Sequence, residues 1–273
     1  MARDFRFGIG LRSIKSAARL REKVRQFEDL GFDVLHLPDH LGAPAPFPAM
    51  VAAADAARTI RVGTYVLNAA FYKPALLARD AIDTDILTDG RLELGLGTGY
   101  VREEFEAAEI PYPSAAKRVT HLRHTVDHLK RVAPSLPLLI AGSGDRVLTL
   151  AAQHADIIGF SAGVPGPGAD DALAERVAFV RAAAGHRYAD VEFNIAITAV
   201  PTDASGVPDL TLTRAYSPQA TDEQLLALPS VLSGSPHHIA ETLMAQRERY
   251  GMTYFTVQDY HGKYFADVIK ALR

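Results

Sequence analysis

Short apolar runs and longer helical periods alternate from one end of this chain to the other, and that alternation limits the fold more than any single motif does. Strand-like runs rich in β-branched residues or leucine lie at Phe5–Leu11, Asp33–Leu37, Ile60–Leu67, Arg91–Gly97, Pro137–Gly142, Asp156–Phe160, Val191–Val200 and Thr253–Gln258. Helical periods separate them. Lys15–Leu30 sets Leu20, Val24 and Phe27 on one face and stops at Gly31. Pro74, whose missing N–H is harmless at a helix start, opens a helix to Leu87. Further helices are expected over Phe47–Thr59, Ser114–Val132, Arg146–Ala155, a stretch ending near Ala184, Pro236–Tyr250 and Lys263–Arg273. One joint occurs twice: "VRQFEDLGFDVLHL" near the start and "MAQRERYGMTYFTV" near the end both run helix, glycine stop, strand. Strands alternating with helices imply a parallel sheet, and strand runs without strict polar alternation imply burial on both faces. Eight such units in 273 residues suit a (β/α)8 barrel. An open doubly wound sheet with fewer strands is the competing architecture. No linker divides the chain.

The net charge is −3, and without a long Lys/Arg run there is no electrostatic footprint for nucleic acid. The opening "MARDFRFGIG" holds no apolar stretch of signal-peptide length, and no run of about 18 apolar residues occurs. The chain reads as a soluble cytoplasmic protein with no membrane partner. Zero cysteines remove disulfides, thiolate catalysis and thiolate metal sites together.

A barrel carries its chemistry at the C-terminal ends of its strands. There the sequence offers "LPDHLG", "GTYVLNAAFYKP", "GLGTGY", "AGSGDR" and "GFSAG". The glycines at 95, 97 and 99 lack the G-x-G-x-x-G spacing of a dinucleotide fold and do not follow the first strand. Gly95 suits relief of crowding inside a barrel. Gly97 and Gly99 suit a flat ligand lying on bare backbone. Gly142, Ser143 and Gly144 end one strand and open a helix, where N–H groups at a positive dipole end favour phosphate. An ordinary strand-to-helix turn fits them too, and barrel phosphate sites usually follow later strands. His40, just past the second strand, can exchange a proton near neutral pH, with Asp39 orienting its ring or capping the loop. His121, His124 and His128 share a helix face but lack the H-E-x-x-H glutamate, and a solvated outer face explains them better than a metal. The loop Gly163–Gly168 reads equally as a lid or a connector.

Taken with "LPDHL", the block Ile60–Phe105, "PLLIAGSGDRVLTLAAQHADIIGF" and the C-terminal "LSGSPHHIAETLMAQRERYGMTYFTV", the chain resembles the bacterial luciferase-like flavin and deazaflavin oxidoreductases, in the branch using coenzyme F420. The resemblance implies a single luciferase-like TIM-barrel domain over residues 1–273, usually a homodimer, with the deazaflavin or isoalloxazine ring at the barrel mouth. It implies a non-proline cis peptide backing that ring, which by position falls at Thr64–Tyr65. It assigns ring and ribityl contacts to Gly97, Thr98 and Gly99, and phosphate contacts to Gly142, Ser143 and Gly144. It places His40 beside the ring for proton transfer or substrate positioning. Two departures stand out: Tyr100 occupies the place of the acid that follows the glycine turn in the sugar-phosphate dehydrogenase branch, and the chain is short for the family. The implied function is F420-dependent hydride transfer to or from a small organic substrate. An FMN-dependent monooxygenase of the same fold and a non-catalytic ligand-binding relative are the alternatives. A cofactor-free isomerase or aldolase lacks the paired acids or strand-end lysine it needs.

Overall fold

The strand-like runs all pair, and they close into one parallel ring. In the computed structural model, which describes residues 3–161 and 171–273, the strands are β1 (Arg6–Gly10), β2 (Val34–Leu37), β3 (Arg61–Thr64), β4 (Leu67–Asn68), β5 (Leu92–Gly97), β6 (Leu138–Ala141), β7 (Ile157–Phe160), β8 (Glu192–Ala196) and β9 (Met252–Gln258). The order is β3-β2-β1-β9-β8-β7-β6-β5-β4, with β3 also pairing β5 to close the ring. The expected strand Ile60–Leu67 is therefore two pieces at one barrel position. β3 pairs β5 through Val62↔Leu92, and β4 rejoins β5 through Leu67↔Leu96. Between them the chain bulges. The loop Gly163–Gly168 lies outside the described residues.

Helices fill the intervals between strands, and Pro74–Leu87 and Pro236–Tyr250 have the ends read from sequence. Three short helices, Arg102–Ala107, Thr211–Tyr216 and Asp222–Leu226, occupy stretches that read as irregular. One or two turns are too few to display a 3.6-residue period.

The two faces of the strands differ more than the expectation of uniform apolar burial allows. Outward positions are large and apolar: Phe7, Ile9, Leu35, Leu37, Leu94, Leu96, Phe193, Ile195, Phe255 and Val257 are buried against the helices. Alternate, inward positions are glycine or polar on most strands. A Cβ on Gly8 would meet Thr256 Oγ1 at 2.7 Å and His36 at 3.2 Å; one on Gly63 would meet Glu93 O at 2.6 Å. Val34, Leu139, Ile157 and Tyr254 form the small apolar cluster of the barrel interior. Towards the mouth, the inward residues shrink to Gly97, Ala141 and Gly159. Both faces are buried, but only the outer one is a conventional hydrophobic core.

Candidate active site

His40 stands at the mouth, three residues beyond the end of β2. Its Nδ1 lies 2.8 Å from Glu104 Oε1; the histidine side chain is 48% exposed and the glutamate 16%. Glu104 was not singled out by the sequence. It arrives on the short helix Arg102–Ala107, which Phe105 anchors edge-on to Phe71 and Tyr112 at ring distances of 5.2 and 5.0 Å. "EEF" in a short amphipathic turn is the only signal for it.

Asp39 does not orient the His40 ring. Its carboxylate accepts the Asn68 N–H at 2.9 Å and the Tyr72 hydroxyl at 3.3 Å, tying β2 to the bulge. Burial, only partly offset by those donors, raises its pKa.

The cis peptide falls at Tyr65–Val66, one residue beyond the Thr64–Tyr65 bond implied by resemblance. Thr64 still belongs to the ladder. The Tyr65 N–H donates to Leu37 O at 2.9 Å, and Thr64 Oγ1 donates to Gly95 O at 2.8 Å and accepts from Gly95 N at 2.9 Å. The Thr64 side chain is thus a buried tie between β3 and β5, and the backbone departs from the ladder only after Tyr65.

The glycine turn has a reason independent of any ligand. A Cβ on Gly95 would sit 2.0 Å from Thr64 O; on Gly97, 2.7 Å from Val66; on Gly99, 2.0 Å from the Asn68 side chain. Crowding was expected only at Gly95. All three glycines admit the bulge, and Gly99 also has φ +69. Thr98 between them is half-buried.

A Cβ on Gly142 would sit 2.7 Å from Val147 Cγ1. Ser143 and Gly144 are exposed; a Cβ on Gly144 would meet nothing within 4 Å. Gly144 precedes the helix Asp145–His154, whose start carries no side-chain cap. This corner can receive an anion on backbone N–H groups. The Asp145 carboxylate beside it is paired with Arg176 at 2.5 Å.

Tyrosines line the rest of the rim. Tyr100, 65% exposed, and Tyr216, 63% exposed, stand near enough for Tyr216 to add to the burial that raises the Tyr100 pKa, so the β5 turn faces the segment that follows β8. His121 is turned elsewhere: its Nε2–H donates to Ala69 O and Tyr72 O, both at 3.0 Å, and so holds the bulge segment from outside. His128 Nδ1 pairs with Arg131 at 2.9 Å. His121 and His128 therefore serve different partners. No helix among the described residues is long and apolar enough to cross a membrane.

The parallel ring puts His40–Glu104, the Tyr65–Val66 bulge, the glycine turn and the Ser143 corner at one end of the barrel. Comparison with known proteins adds to this geometry. A family model described as luciferase-like monooxygenase matches residues 4–207. An F420-dependent glucose-6-phosphate dehydrogenase of Kribbella flavida is 36% identical over 120 residues, which are 41% of this chain and 36% of that protein. The oxygenase component of a flavin-dependent trigonelline monooxygenase of Acinetobacter baylyi is 32% identical over 90 residues, 33% of this chain and 25% of that one. The matched segments span about a third or less of these relatives' own length. The coenzyme F420-dependent tetrahydromethanopterin reductase of Methanopyrus kandleri superposes with a TM-score of 0.78 over 99% of this chain and all of its own, at 15% identity, a likeness of fold.

Proposed function

Because the chain belongs to the luciferase-like monooxygenase family, we propose that it is an oxidoreductase that uses coenzyme F420 and acts on a small organic molecule. The observation that carries this reading is the Ser143–Gly144 corner, an open, uncapped helix start on the same rim as His40–Glu104. The residues fit a ribityl-phosphate cofactor: Gly144 leaves the space a side chain would fill, and Ser143 adds a hydroxyl. Gly97, Thr98 and Gly99 would lie along the ring and ribityl chain, with Thr64 and Tyr65 behind it. When bound, the deazaflavin supplies a carbon that carries hydride.

The chain's own work is to hold, orient and move a proton. Glu104 takes the Nδ1–H of His40, which leaves Nε2 to hold or release the proton that accompanies hydride transfer at the substrate. Tyr100 in place of an acid after the glycine turn argues against glucose 6-phosphate as substrate. The exposed Tyr100–Tyr216 pair would instead offer a phenolic wall. The same reading takes the protein to be cytoplasmic and a homodimer.

FMN is the second reading, supported by the partial match to a flavin-dependent oxygenase component. Both cofactors end in a ribityl phosphate, so the corner serves either. Fluorescence titration with coenzyme F420 and FMN in parallel decides between them. Tight binding of coenzyme F420 over FMN is the expected result; binding of neither at tens of micromolar refutes the assignment.

A further inference from the structure

A barrel interior is ordinarily filled by branched apolar side chains. Here a polar ladder climbs through it. At the base, Arg6 bridges Glu93 and Glu192, the latter at 2.5 Å, and Arg61 reaches Glu93 at 2.8 Å. Tyr254 stands above, its hydroxyl 2.8 Å from His36 Nε2 and 3.4 Å from Glu93 Oε2. His36 lies flat on Tyr65, with ring centroids 4.9 Å apart and planes 10° from parallel. The Tyr65 hydroxyl donates to Asn194 Oδ1 at 2.6 Å, and Asn194 Nδ2 donates to Thr256 Oγ1 at 3.0 Å. His36 and Asn194 are 1% and 0% exposed.

The ladder has a direction. Tyr254 can donate to Glu93 while His36 Nε2–H donates to Tyr254, which leaves the His36 Nδ1 lone pair as the one buried atom of the ladder without a partner. The opposite order would strand an N–H there, the rarer and costlier fault. Burial, assisted by Arg6, pushes the His36 pKa down to about 3, so the ring is neutral whenever the protein is folded near neutrality.

Desolvating this many polar groups is unfavourable compared with packing leucine and valine, so the ladder is poorly explained as a stability device. What it does geometrically is clamp one side chain. Tyr65 is stacked from one strand and hydrogen-bonded from another, and Tyr65 is the residue whose peptide to Val66 forms the bulge at the mouth. We propose that His36 and Asn194 are positioning residues that hold Tyr65 from inside the barrel, so that the bulge presents a fixed backbone surface to the ring of the bound cofactor. The idea rests on the cofactor reading above, but the clamp itself can be measured without ligand.

Four proteins test it: wild type, His36→Leu, His36→Phe and Asn194→Leu. His36→Phe keeps the flat contact with Tyr65 and loses only the bond to Tyr254. Two readouts are needed. Amide hydrogen exchange of a peptide covering residues 60–68 in the ligand-free proteins reports the bulge. Titration with coenzyme F420 and FMN, and with their ring-plus-ribityl fragments lacking phosphate, reports the platform. The clamp predicts exchange at least about tenfold faster in His36→Leu and Asn194→Leu, and ring binding weakened about tenfold with and without phosphate. His36→Phe should rescue both. Wild-type exchange in every variant overturns the proposal, and so does equal loss in His36→Phe and His36→Leu, which would mark general packing. If wild type binds no ligand, the cofactor reading fails, and the exchange data alone still decide whether the clamp exists.

Discussion

Gly95 and Gly144 make opposite predictions from the same one-methyl perturbation. In Gly95→Ala the new Cβ falls 2.0 Å from Thr64 O and 3.1 Å from both Thr64 C and Val66 Cγ1. Relief to a 3.0 Å contact needs a shift of about 1 Å, and the nearest neighbour is backbone in a closed ring. That shift strains the two bonds between Thr64 Oγ1 and the Gly95 peptide groups. Overpacking of this kind is worth about 1–3 kcal/mol. Each weakened hydrogen bond adds about 0.5–1.5 kcal/mol. The stiffer unfolded chain returns about 0.4–1 kcal/mol. The net loss is about 3 kcal/mol, or a melting point lower by about 6–9 °C for a domain of this size. Gly144→Ala meets nothing within 4 Å, at φ −78 and ψ 145 that alanine adopts freely. Its melting point should stay level or rise by a degree or two, while its affinity for a phosphate-bearing cofactor falls as the methyl covers the N–H corner. Differential scanning fluorimetry with and without ligand measures all of this. A wild-type melting point for Gly95→Ala would refute the steric reasoning, and unchanged cofactor affinity in Gly144→Ala would refute the corner's role.

Three further tests follow from other contacts. Glu104→Gln removes the carboxylate on His40 Nδ1; kcat should fall about 100-fold with little change in KM, whereas a loss confined to KM would mean that Glu104 only shapes the substrate pocket. For Glu28, burial favours the neutral form, but N–H groups of Thr59, Ile60 and Arg58 outweigh it and hold the pKa down to about 2. A folded pKa below the unfolded one stabilises above about pH 4.5 and is lost as pH falls towards 2, so the urea-stability gap between wild type and Glu28→Gln should narrow over that window. A gap independent of pH would contradict this. His121→Ala takes a donor from the Tyr72 carbonyl and leaves the Ala69 carbonyl with only the Tyr72 N–H, and should destabilise by about 1–3 kcal/mol in urea. A chelator effect present in wild type and absent from the variant would instead restore the metal reading.

Much of the fold is legible because it is local. Pro74 and Leu87, or Ser235 and Gly251, bound their helices through groups within a turn of each end. The rim was legible for the same reason: a strand that stops on "PDH" or "GSG" puts those residues at its end whatever the rest of the chain does. The site's pairings were not, because they join distant residues: His40 to Glu104 across 64 positions, Tyr65 to Asn194 across 129, Tyr254 to His36 across 218.

The barrel interior was hidden by something subtler. A strand's two faces are told apart only by phase, and a shift of one residue exchanges Phe7 for Gly8 or Phe255 for Thr256. In "FRFGIGL", "LELGLG" and "TYFTVQ" the inward set is glycine, threonine, tyrosine, glutamine or a charge, interleaved with apolar residues, so each run still averages as apolar. Glycine is the residue that conceals the alternation, since it registers as neither polar nor bulky. Strands of a parallel barrel that place glycine at every second position have therefore left room inside for groups supplied by their neighbours. Here those groups are the bulge after Thr64 and the ladder from Arg6 to Asn194, and the bare inward positions of β1, β3 and β5 are the sequence trace of both.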